Sequence, residues 1–191
     1  LFPFIKSRAY ATQLGWGHDK YVRDTGAYVK GKYYGTHPAV RCFYSPKVMY
    51  RLTGEPDFWP EGRDAGVAPH KGPREGVIPD GGMIIKEMLP PPAARYEGMT
   101  EEEILAVLRL PTSAGCDVMI KDSSGSPDGW FWASVYEGQE LDTTDSFDYP
   151  QAGFVLACVR CPSGAEEGGT FSSLRNITGF PGEPIQYFVD N

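Results

Sequence analysis

Asp117-Val118-Met119-Ile120-Lys121-Asp122-Ser123-Ser124-Gly125, followed closely by Gly129-Trp130-Phe131-Trp132-Ala133-Ser134-Val135-Tyr136, is the stretch that decides the fold. Two runs rich in β-branched and aromatic residues, Asp117–Lys121 and Gly129–Tyr136, flank an Asp-Ser-Ser-Gly turn signal. Trp130 and Trp132 fall on one face of the second run and Phe131 on the other, because strand side chains alternate. Further strand signals lie on both sides, at Met83–Met88, Gly153–Cys158 and Ile185–Val189.

Two helices interrupt this pattern. The first is Ser45-Pro46-Lys47-Val48-Met49-Tyr50-Arg51-Leu52, where Ser45 can cap, Pro46 suits the first helical position and Gly54 can end the helix. The second opens with the capping box Thr100-Glu101-Glu102-Glu103, continues through Ile104, Leu105, Val107 and Leu108, and stops at Pro111. Several strands with two or three short helices and no βαβ rhythm predict an α+β fold, a single domain rich in antiparallel β-sheet.

Residues 1–35 read differently. Tyr10, Trp16, Tyr21, Tyr28, Tyr33 and Tyr34 are scattered there among Gly, Lys, Arg and Asp with no persistent period. This predicts an extended, aromatic N-terminal arm ahead of a domain spanning 36–191, held by its own domain or by another protein subunit. Residues 53–82 carry five prolines and seven glycines and read as a long loop or covering flap.

Composition narrows the function classes. The chain has 191 residues, 23 glycines and 17 prolines, which argues against a helical bundle. Its formal charge of −7 opposes nucleic-acid binding, and no apolar run reaches the ~20 residues of a transmembrane segment. It opens Leu1-Phe2-Pro3-Phe4 without Met, so it reads as processed or as starting inside a longer chain. Asn176-Ile177-Thr178 is a glycosylation sequon, which makes Asn176 a candidate modification site.

Four cysteines, Cys42, Cys116, Cys158 and Cys161, permit two disulfides without requiring them. Cys42 and Cys116 pair, or are buried small apolar residues. Cys158-Val159-Arg160-Cys161-Pro162 is a Cys-x-x-Cys in which proline stands where a c-type haem motif has its histidine. Covalent haem c through two thioethers, a local disulfide, or two thiols left from a lost site are the readings open to Cys158 and Cys161. A zinc site would need a second Cys/His pair, and a thioredoxin-like role would need a βαβ context; neither is in the sequence. No nucleophile–base pair, phosphate loop or nucleotide fingerprint is present either, so no catalytic residue and no metal ligand is assigned. His37, in Gly35-Thr36-His37-Pro38, reads as a structural turn histidine. Lys86, Glu87, Lys121 and Asp122 read as a solvated face or edge protection.

The ordered set of motifs resembles the cytochrome P-460 family. Pro79-Asp80-Gly81-Gly82-Met83-Ile84-Ile85-Lys86-Glu87, the hairpin Val118–Trp132, the run Gly153–Cys161, Thr170–Asn176 and Gly179–Pro184 carry the resemblance, over roughly residues 36–190. It implies a β-rich, extracytoplasmic domain (periplasm, secretory space or organelle lumen) built around one c-type haem on Cys158 and Cys161. Lys86 is the position to test for the lysine that the namesake enzymes cross-link to the porphyrin. Pro162 departs from the pattern. The expectation is therefore a degenerate haem site without cofactor in a non-catalytic, structural or accessory subunit of a larger assembly, docked through its arm. The alternative is a c-type haem oxidoreductase or small-gas binder with non-standard axial ligation.

Overall fold

The computed structural model describes residues 1–35, 37–54, 78–109, 115–125, 129–135, 152–153 and 173–184. The chain forms α1 (Phe2–Ser7), α2 (Ala9–Thr12), β1 (Gly17–His18), β2 (Tyr28–Val29), β3 (Lys32–Tyr33), β4 (Ala39–Tyr44), α3 (Pro46–Thr53), β5 (Met83–Leu89), α4 (Glu101–Leu108), β6 (Gly115–Lys121), β7 (Trp130–Val135) and β8 (Ala152–Gly153). Short 3₁₀ turns occupy Ala93–Tyr96 and Leu174–Asn176. The main sheet has six strands in the order β1-β4-β5-β6-β7-β8, every pairing antiparallel, and β2 and β3 form a separate two-stranded ribbon. This is the α+β, β-rich fold that the sequence predicts.

The helix signals behave as their chemistry requires. Thr100 accepts from the Glu103 amide while the Glu103 carboxylate accepts from the Thr100 amide, closing the capping box of α4. Gly54 ends α3 in the left-handed region at φ 76°. Ser45 precedes α3, but its hydroxyl accepts from the Met83 amide at 2.8 Å and ties the helix start to β5 instead of capping it. Pro111, most of the 53–82 loop signal (residues 55–77), and the strand signals 154–158 and 185–189 lie outside the described residues.

Strand alternation sorts the core into two layers. On the first face, Cys42, Tyr44, Ile84, Trp130 and Trp132 pack beneath Val48 and Met49 of α3 and against Ile177 and Phe180. On the second face, Phe43, Ile85, Cys116, Val118, Ala133 and Val135 are covered by Ile5, Tyr10 and Trp16. The two tryptophans share the first face and Phe131 takes the second, as their alternation predicts. A third cluster, Ala39, Leu89, Tyr96, Ile104 and Leu108, seals one end of the sheet under α4.

Residues 1–35 are therefore built into the domain along much of their length. Tyr10 is fully buried, β1 adds an edge strand to β4, and Arg23 forms an isolated antiparallel bridge with Val40. Phe4, Tyr10 and Trp16 pack ring against ring at 5.7–6.0 Å, and Tyr10 meets Phe43 edge-on at 5.0 Å. The outward part of the stretch exposes Tyr21, Val29 and Tyr34.

Candidate functional site

The register places one polar row straight across the first face. Cys42 of β4 lies opposite Lys86 of β5, Lys86 opposite Asp117 of β6, and Asp117 opposite Ser134 of β7. The next row toward α3, Tyr44–Ile84–Met119–Trp132, is apolar apart from the tyrosine hydroxyl. Lys86 Nζ sits 2.8 Å from Asp117 Oδ2, and Ser134 Oγ donates to Asp117 Oδ1 at 2.7 Å. The His37 ring completes the group, its Nε2 lying 3.3 Å from Lys86 Nζ.

His37 is held from behind. Thr25 Oγ1 and Tyr33 Oη donate to its carbonyl at 2.6 and 2.8 Å, and its amide donates to Thr25 Oγ1 at 3.0 Å. Burial holds the imidazole below its ordinary pKa, the Lys86 cation pushes in the same direction, and Asp117 only partly opposes them. A neutral imidazole is the form that accepts a hydrogen bond from an ammonium group. His37 is thus more than a turn residue; it is the third member of a cluster with Lys86 and Asp117.

The second face holds a buried ionic network that the sequence pattern did not suggest. Glu87, assigned by default to a solvated face, has no exposed surface. Its carboxylate accepts from Arg8 Nε at 2.6 Å, Arg8 Nη2 at 2.9 Å and Tyr10 Oη at 2.9 Å. Arg8 reaches it by adopting the left-handed region between α1 and α2, at φ 50°. Arg8 also donates to the Glu101 carbonyl and carboxylate, at 3.1 and 3.0 Å, and Arg41 Nη2 meets Glu101 Oε1 at 2.5 Å. Burial alone would lower the Arg8 pKa, but the bonds and charge of Glu87 outweigh it and raise it. Burial, seconded by the Glu87 charge, drives Tyr10 far above its ordinary range. Adjacent Lys86 and Glu87 could have signalled this network: one strand with both faces covered forces them apart, and the buried carboxylate then needs a cation.

The cysteine expectations divide. Cys42 belongs to the first face and Cys116 to the second, with β5 between their strands. Two strand spacings are about 9–10 Å, beyond the ~7 Å limit on Cα separation for a disulfide, and the side chains point oppositely. Both are buried free thiols, so of the two readings open to them the buried small residues hold and a Cys42–Cys116 bridge does not. Burial pushes each up to about 12, aided by Asp19 at Cys42 and by Glu87 at Cys116. Cys158 and Cys161 lie outside the described residues. Asn176, the sequon residue, is 2% exposed and stands at the end of the 3₁₀ turn Leu174–Asn176 beside the first face.

No known protein family matches this chain, and no curated protein or solved structure matches it.

The haem implied by the resemblance can be tested only against the residues present. Pro162 offers no lone pair for iron, and the Lys86 ammonium is engaged by Asp117 and His37. This donor set does not fit a lysine-linked haem c.

Proposed function

We propose that this chain is a cytochrome P-460-like domain with a degenerate haem site, serving as a non-catalytic accessory subunit of a larger extracytoplasmic assembly. The observation that carries the reading is the Lys86–Asp117 ion pair at 2.8 Å. An amine bound to a carboxylate and to an imidazole is not poised as a nucleophile, and the position that the resemblance marks for a reactive lysine is used here to join strands.

A partner role draws support from the exposed aromatic side of the first 35 residues. Tyr21 is 62% and Tyr34 58% exposed, on a stretch whose other side is packed against the sheet. Large side chains presented on an anchored backbone lose little entropy on docking. No helix among the described residues is long and apolar enough to cross a membrane.

An absorption spectrum of the purified protein tests the reading. The expected spectrum has no Soret band after acid-acetone extraction. A band that survives extraction, with iron near one per chain and loss of haem in Cys158→Ser, would establish the c-type haem alternative instead.

A further inference from the structure

A cavity of about 770 Å³ opens between residues 18–24, the Ala93–Met99 turn, the first turns of α4 and the segment 176–184. Its wall combines apolar surface from Val22, Tyr96, Met99 and Ile104 with two arginines, Arg23 and Arg41. Among the described residues, two buried side-chain polar atoms lack a hydrogen-bond partner, and they are Arg23 Nε and Arg41 Nε. Both orphaned donors therefore belong to the wall of one cavity. Leaving a buried donor unmatched costs about 1–3 kcal/mol, so such groups point to an occupant that supplies the acceptor.

Neighbouring groups do not meet that need. Arg23 Nε lies 3.4 Å from Asp19 Oδ2, an ion-pair contact without hydrogen-bond alignment. Arg41 gives Nη2 to Glu101, and its guanidinium lies 4.9 Å from the centre of the Phe43 ring, which stabilises the cation but offers Nε no lone pair. Three carboxylates of the wall, Asp19, Asp24 and Glu101, are in contrast supplied with donors. Asp19 accepts from the Cys42 amide and the Tyr44 hydroxyl, both at 3.0 Å. Asp24 accepts from the Ala93 amide at 3.0 Å, and Glu101 accepts from Arg8 and Arg41. Among the described residues, the Nε–H groups of Arg23 and Arg41 are what this wall leaves unmatched.

We propose that the cavity binds a small organic monocarboxylate, its oxyanion seated between Arg23 and Arg41 and its apolar body against Val22, Tyr96, Met99 and Ile104. Both Nε atoms are buried, so seating the oxyanion includes a turn of each guanidinium about its last torsions. The volume falls within the ~300–1,000 Å³ of small-molecule sites. The carboxylates of the wall and the −7 charge of the chain select against a doubly charged phosphate. The inference is independent of the haem reading, because it uses none of the Lys86 cluster.

NMR titration of the full chain with benzoate, benzamide and inorganic phosphate decides the matter. Benzoate should saturate and shift the side-chain Nε–H signals of Arg23 and Arg41, while benzamide and phosphate bind at least about tenfold more weakly. Arg23→Gln should weaken benzoate binding by a similar factor while leaving the circular dichroism spectrum unchanged, and Arg41→Gln should do the same if it folds. Failure of benzoate to saturate, equal binding of benzamide, or undiminished binding to a folded Arg23→Gln chain would each overturn the proposal.

Discussion

Replacing Arg8 with methionine should destabilise the fold by about 3–5 kcal/mol, the range found when one partner of a buried ion pair is removed. The magnitude follows from what Glu87 loses. Its carboxylate has no exposed surface and accepts three hydrogen bonds, two of them charge-assisted and both from Arg8. Charge-assisted bonds contribute roughly 1.5–3 kcal/mol each, and after the substitution the anion keeps only the Tyr10 hydroxyl. Methionine retains most of the side-chain stem and the same left-handed backbone at position 8, so packing loss and backbone strain largely cancel. The bonds from Arg8 to the Glu101 carboxylate add little, because that side chain is 42% exposed. Urea unfolding followed by fluorescence and circular dichroism reads the change as a lower midpoint at constant slope. The triple variant Arg8→Met, Tyr10→Phe, Glu87→Leu removes every polar member of the central contact, and it should recover most of the loss or exceed the parent in stability. If Arg8→Met costs less than about 1 kcal/mol, or the triple variant is no more stable than the single one, the buried charge is not what its geometry indicates.

Four further outcomes are expected. His37 has its folded pKa below the ordinary value near 6.5, so the unfolded chain takes up its proton first and stability should fall as pH drops from about 6.5 toward the folded value; His37→Gln should remove that component from pH-dependent unfolding curves. Lys86→Met takes away the cation beside the ring and should move the His37 NMR titration midpoint upward. In a Cys158→Ser, Cys161→Ser background, Cys42 and Cys116 should resist a thiol reagent at neutral pH and both react once urea unfolds the chain, because burial keeps each thiol protonated and shielded. Gly17→Ala should destabilise by about 1–3 kcal/mol in calorimetry, since its new Cβ would stand 2.4 Å from Met49 Sδ beneath α3, within a packed core.

The parts of the fold that were legible in the sequence are those written in short-range chemistry. The β6–β7 hairpin announces itself through alternation and a polar turn, and α4 through a capping box closed within four residues. The first sixteen residues were illegible for the opposite reason. α1 and α2 have six and four residues, too short to show a helical period or to hold a helix alone. They form because Ile5, Tyr10 and Trp16 find a sheet face assembled from residues far along the chain. Cysteine counting left Cys42 and Cys116 open for the same reason: an even number permits a bridge, while register and facing decide it, and neither is visible before strands are paired.

Lys86 and Glu87 show most directly where sequence reading stops. As neighbours on a strand they must face opposite ways; Glu87 is fully buried and Lys86 about one-fifth exposed, so neither is a freely solvated charge. Each is then satisfied by a residue the chain delivers from a distance: Asp117 and His37 for Lys86, Arg8 and Tyr10 for Glu87, the last two from 79 and 77 positions away. The two networks place opposite demands on the molecule. The Glu87 side is closed to solvent and satisfied, so changes there should be read out in stability. The Lys86 side is about one-fifth exposed and contains a titratable ring clamped through its backbone to Thr25 and Tyr33 beside the β2–β3 ribbon. A proton gained by His37 replaces an acceptor facing Lys86 with a second cation. Of the two charged clusters on this sheet, the one around Lys86 is therefore the one whose state solvent can change.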